Sequence, residues 1–169
     1  MEKLKKHQTI PFVDISDSDT PSYARIGKST IFDLVLNANV ITNNYIEDEM
    51  PTDEVDYYKP TLSQELATIK GDTAFDFFYE MLYDLPTGEA LKKNVLLVFA
   101  GNISSTGAPS FNAWLVPATV VLKNLNTVDE KILFDLNFGG NITRGTATVS
   151  DGTPTFTPAS SSSDSGSDS

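Results

Sequence analysis

The fold turns on KILFDLNFGG, Lys131 to Gly140. Ile132, Phe134, Leu136 and Phe138 take one set of alternate positions, and Lys131, Leu133, Asp135 and Asn137 take the other. A period of two puts the sets on opposite faces of a pleated strand, one turned to a core and one to water. Gly139-Gly140 follows at once and reads as a two-residue hairpin turn into a strand over Asn141–Val149. Outward from this pair, Asn94–Ala100 and Phe111–Lys123 are rich in β-branched and aromatic residues. Turn chemistry separates them at Gly101-Asn102, Gly107-Ala108-Pro109 and Asn124–Asp129, and Pro154–Thr157 adds a short last strand.

Upstream the period changes. Over Thr73–Leu85, Ala74, Phe77, Phe78, Met81, Leu82 and Leu85 fall on one stripe at helical spacing, which predicts an amphipathic helix packed on a core. Asp72 is placed to cap it, Asp76 sits in its first turn, and Pro86 and Gly88 end it. Before the helix, Thr61–Lys70 reads as a strand. Ile31–Leu36 reads as another, with Phe32, Leu34 and Leu36 on one face and Asp33 on the other. Between them residues 37–60 read as a long acidic loop. Residues 1–22 read as a leading arm and 158–169 as a disordered Ser/Asp tail, which leaves 23–157 as the domain. The order predicts a mainly antiparallel β-sandwich with one helix, about 73–85, on a flank.

Charge and composition narrow the function. The chain of 169 residues has 12 Lys and Arg against 23 Asp and Glu, a net charge of −11. Such a surface repels phosphate and argues against tight nucleic-acid binding or an anionic-membrane role. The chain has no cysteine, and its single histidine, His7, lies in the leading arm. That removes disulfides, thiolate chemistry and most His-dependent catalysis, so no enzymatic activity, cofactor or metal is expected. The basic start, Met1 to Lys6, runs into His7-Gln8-Thr9 rather than an apolar core, so no export signal or membrane span is expected.

Several short motifs dissolve on inspection. Gly27-Lys28-Ser29-Thr30 ends like a phosphate-binding loop, but Ser22 stands where the first glycine belongs. Asp14, Ser16, Asp17 and Asp19 suggest a calcium loop, yet Asp19 and Arg25 occupy the positions that need Gly and Glu. The acids of 47–56 lack the rigid, fixed separation of a glycosidase pair. Asn102-Ile103-Ser104 and Asn141-Ile142-Thr143 match a glycosylation pattern that means nothing without export. Trp114 with Phe111 could form a carbohydrate platform, but Trp114 alternates with Val116, Ala118, Val120 and Leu122, so burial is expected.

One larger pattern remains. Asn44 to Gly88 carries an acidic stretch ending in Tyr57-Tyr58-Lys59-Pro60-Thr61, then a strand, then Gly71-Asp72 opening an aromatic helix closed by Pro86-Thr87-Gly88. Phe111-Asn112-Ala113-Trp114, Pro117-Ala118-Thr119-Val120, the Lys131–Phe138 strand and Gly145-Thr146-Ala147-Thr148-Val149 follow in order. From about Pro11 to Pro158 the chain resembles the major tail proteins, or tail-tube proteins, of long-tailed non-contractile bacteriophages (siphophages) of Gram-positive hosts. The resemblance implies hexameric rings that stack into a virion tail tube, assembled in the host cytoplasm, through which double-stranded DNA passes without specific binding. It also implies contacts with tape-measure and tail-terminator or distal tail proteins.

On that reading the long loop is the contact between rings. Tyr45, Ile46, Met50, Val55, Tyr57 and Tyr58 would bury against a neighbour, and Glu47, Asp48, Glu49, Asp53 and Glu54 would meet basic partners such as Lys3, Lys5, Lys6, Lys92 and Lys93. Asp33, Asp135 and Asn137 are the candidates for the lumen wall. With about four strands per subunit and sixfold symmetry, ~24 strands at ~4.8 Å spacing and ~40° tilt give a backbone diameter of ~48 Å. A duplex about 20 Å wide would pass. Two other readings stay open: a tail-completion or head–tail connector protein, and a surface β-sandwich that binds carbohydrate or protein through Tyr57, Tyr58 and Trp114.

Overall fold

The computed structural model describes residues 3–103 and 109–160, with the side chains of residues 102 and 103 excepted. The Asn102 glycosylation pattern, part of the turn at 107–109 and the tail beyond residue 160 lie outside the described residues. Among those described, the strands are β1 (Thr9–Asp14), β2 (Tyr23–Arg25), β3 (Asp33–Val35), β4 (Ala38–Asn43), β5 (Thr52–Tyr58) and β6 (Thr61–Ala67). The helix α1 (Thr73–Asp84) follows, then β7 (Lys92–Ile103), β8 (Phe111–Asn126), β9 (Lys131–Phe138), β10 (Thr143–Ser150) and β11 (Thr153–Pro158). The protein is mainly antiparallel β with a single helix, the class its sequence predicts.

The main sheet runs β2-β1-β7-β8-β9-β6-β3, with β10 and β11 branching from β8. It curls until the chain between β2 and β3 closes it. Ile26 N–H bonds to Pro11 on the β1 side, while Thr30 N–H bonds to Glu65 and Ala67 N–H to Lys28 on the β6 side. The Gly27–Thr30 turn, which looked like a fragment of a phosphate loop, is this stitch.

The alternation of β9 is realised residue by residue. Ile132, Phe134, Leu136 and Phe138 are buried and the positions between them half-buried. They join Leu62, Leu66, Val116, Val120 and the helix residues Ala74, Phe75, Phe78 and Met81 in the larger core, where the Phe78 ring stacks on Phe134 at 3.9 Å. The Asp72 carboxylate caps α1 by accepting from Phe75 N–H at 3.1 Å. The buried stripe differs slightly from expectation, since Phe75 is in the core while Leu85 ends the helix exposed, in the left-handed region at φ 46°.

Three expectations are corrected. The leading arm 1–22 is not unstructured: β1 lies inside the sheet between β2 and β7, with Phe12 and Val13 fully buried. Phe12 serves a second core with Leu96, Val98, Ala113 and Ala147, while Val13 serves the first. A strand buried on both faces shows no alternation, and Pro11 reads as a break; both features hid it.

Gly139-Gly140 is not a hairpin turn. β9 pairs with Ala118–Asn126 of β8, and β10 continues along the same edge of β8, pairing with Phe111–Leu115. The glycines, with Gly140 at φ 68°, let the chain leave its β6 neighbour and take β11 instead. A strand of 16 residues is long enough to serve both partners in series.

Residues 37–60 are not a loop but a β-hairpin of β4 and β5, a separate two-stranded sheet with a bulge at Asn39/Val40. Val40, Ile41 and Thr42 are the β-branched signal for β4, overlooked among the flanking asparagines.

Candidate functional site

The β4–β5 hairpin is built from cross-strand pairs: Val40 opposite Val55, Ile41 opposite Glu54, Thr42 opposite Asp53. Polar neighbours reinforce the ladder. The Thr42 hydroxyl donates to Asp53 at 2.7 Å, Asn43 Nδ2 to Glu54 at 3.3 Å and Asn39 Nδ2 to Asp56 at 3.5 Å. At the root, Lys59 N–H bonds to Leu36 O and Asn37 Nδ2 to Lys59 O, anchoring the hairpin to the body.

What the hairpin lacks is cover. Every residue of β5 is exposed, and β4 is nearly so. Ile46 at the tip shows 107% of its reference surface, and Val40, Ile41, Tyr45, Met50, Val55, Tyr57 and Tyr58 are all exposed. The apolar residues predicted for the loop are thus brought together with two, Val40 and Ile41, that sequence reading missed. Glu47, Asp48 and Glu49 crowd the turn beside them, also exposed. An isolated two-stranded hairpin is marginal in water, and this one buries neither face.

The candidate lumen residues share one place. Asp33 stands opposite Ser63, which stands opposite Asp135, in one row across β3, β6 and β9. Asn137 stands opposite Thr61 one step along. All lie on the face turned away from the core. Its charges are largely paired: Asp135 meets Lys123 at 2.6 Å and Glu65 meets Lys131 at 2.8 Å, while the exposed Asp33 has no ion pair among the described residues. The Lys131 ammonium and the Thr30 hydroxyl, both bonded to Glu65, hold its carboxyl below the usual range. Of the predicted basic partners, Lys92 is engaged by Glu89 and Lys93 by Asp17, within the same chain.

Other candidates have structural work. Asp14 accepts from Ser16 N–H, Ser16 Oγ and Ser22 N–H, which closes the loop that resembled a calcium site. Burial first, and then the charge of Asp14, pushes the Tyr23 hydroxyl's pKa up. Trp114 packs edge-on to Phe99 at 5.1 Å. Among the described residues no group of three or more His, Cys, Asp or Glu could hold a metal ion, and no helix is long and apolar enough to cross a membrane.

No family model matches the sequence, and no curated protein does. Among solved structures, the chain is similar to one in the cryo-EM structure of the anti-feeding prophage baseplate, 6-fold symmetrised. Identity is 10%, the match covers 85% of this chain and 96% of that one, and the TM-score is 0.47. A likeness of that size carries no argument about function.

Proposed function

We propose that this protein is a structural component of a bacteriophage virion, a tail-tube subunit that works by binding copies of itself. The observation that carries the reading is the uncovered hairpin, on which Val40, Ile41, Tyr45, Ile46, Met50, Val55, Tyr57 and Tyr58 are all exposed. Scattered exposed apolar residues are ordinary, but eight of them gathered on the two faces and tip of one hairpin mark an interaction surface. Supporting it are the order and spacing of the motifs that resemble tail-tube proteins. A sheet face with Asp33, Asp135 and Asn137 is also available to line a channel. With most of its carboxylates neutralised by lysines, that face would neither grip phosphate nor strongly repel it. The reaction is assembly, with no bond made or broken, and its strength comes from burying the hairpin's apolar residues more than from its exposed charges.

Electron microscopy of the concentrated protein is expected to show stacked rings or tubes. Deleting residues 48–56, which removes the turn and most of β5, is expected to leave a folded subunit that melts within about 3 °C of the wild type and forms no tubes. Normal tubes from that deletion would refute the hairpin's role. Single rings that never stack would favour a connector instead.

A further inference from the structure

The closure of the main sheet leaves a gap. Where residues 26–32 bridge β1 and β6, a cleft of about 400 Å³ opens. Ile31 and the half-exposed Phe32 form an apolar wall, and Lys6, His7 and Arg25 stand on its rim. Neither of the two cations, Lys6 and Arg25, is in an ion pair among the described residues. For a chain carrying −11, an unpaired cluster of this sign is against the trend.

Gln64 lies at the floor. It sits on the inward side of β6 between Leu62 and Leu66 and is 2% exposed. Its Nε2 donates to Ser63 O at 2.8 Å, but its Oε1 has no partner. An unmet buried acceptor calls for a donor. The cleft therefore suits an occupant with N–H groups, carboxylates and apolar side chains together. A free phosphate ion offers no apolar contact for Ile31 and Phe32. An acidic peptide segment offers all three.

We propose that the occupant is the hairpin turn of a second copy of this chain, Tyr45–Met50. It carries Glu47, Asp48 and Glu49 for the cationic rim, Ile46, Tyr45 and Met50 for the apolar wall, and turn amides for Gln64. No hydrogen bond or ion pair joins this turn to the cleft of its own chain among the described residues, and β4 holds the turn about 20 Å from the hairpin root. Turn and cleft are different surfaces, so each copy offers one and receives the other. Such a heterologous contact closes into a ring or propagates as a filament. The inference rests on the self-assembly reading and names the surface that the hairpin meets.

Charge reversal on full-length chains tests it. Lys6→Glu with His7→Glu alters only exposed side chains of the N-terminal turn, and Arg25→Glu serves as an independent cleft variant. Glu47→Lys with Asp48→Lys and Glu49→Lys reverses the turn. In sedimentation velocity each reversed protein alone should be monomeric, with an assembly threshold raised about a hundredfold. Equal mixtures of cleft-reversed and turn-reversed chains should assemble again, because each then offers the charge the other lacks. Gln64→Leu should assemble less readily than wild type without losing thermal stability, an outcome that a purely structural role for Gln64 would not give. If the wild type assembles and the cleft-reversed variants assemble equally well, the cleft proposal is overturned while self-assembly stands. If the wild type stays monomeric at every concentration, both fall.

Discussion

The curled main sheet and the β4–β5 hairpin are made from similar residues and meet opposite fates. In the main sheet Phe12, Phe134 and Leu136 are fully covered, Phe134 by Phe78 of the helix, and two cores share the wall formed by β1, β7 and the first half of β8. In the hairpin, Val40 and Val55 on one face, Ile41 on the other, and Tyr57 and Tyr58 near the root are all exposed. The difference teaches where stability ends and association begins. Apolar area removed from water within the chain stabilises the fold, whereas area left exposed in ordered form stabilises only a complex.

Substitutions can separate these two roles. Phe78→Ala should act on the body alone: it removes a ring stacked between helix and sheet and should cost about 3–5 kcal/mol. In calorimetry this appears as a melting point lowered by about 6–20 °C. A loss under 1 kcal/mol would mean that the helix is not seated on β9. Ile46→Ser with Tyr57→Ser should do the reverse, changing stability by no more than about 0.5 kcal/mol while raising the assembly threshold at least tenfold. A large fall in melting temperature would show that the hairpin is part of the core after all.

The smallest effect lies on the polar sheet face. Glu65 is held below its usual range by Lys131, so its contribution is present above the ordinary glutamate value, about pH 4.3, and fades as pH falls through the lowered one. Lys131→Met should therefore lower the melting point by about 1 °C near neutrality, and the two curves should converge in acid once the pH has fallen through the lowered carboxyl value. A difference that persists unchanged in acid would place the effect on packing instead.

What was legible in the sequence follows the same division. β9 and α1 could be read because each has one wet face and one dry face, so the period of burial is written in the residue types. β1 could not, because both faces are buried and Pro11 interrupts it. Gly139-Gly140 could not, because whether a chain turns back or runs on depends on the length of a partner strand elsewhere. The hairpin's apolar residues were found except for Val40 and Ile41, but its ordered state was not, since a strand with two wet faces carries no burial signal. The rim residues Lys6, His7 and Arg25 are gathered by the closure of the sheet, and no local pattern announces that.

The pairing of β1 with β7 sets a clock. Phe12 lies opposite Leu96, and the smaller core still waits for Ala147 from β10. Partners so far apart in sequence make folding slow, because the intervening chain must be gathered before the contacts reward it. A subunit emerging from the ribosome therefore cannot complete its smaller core until β10 has been made.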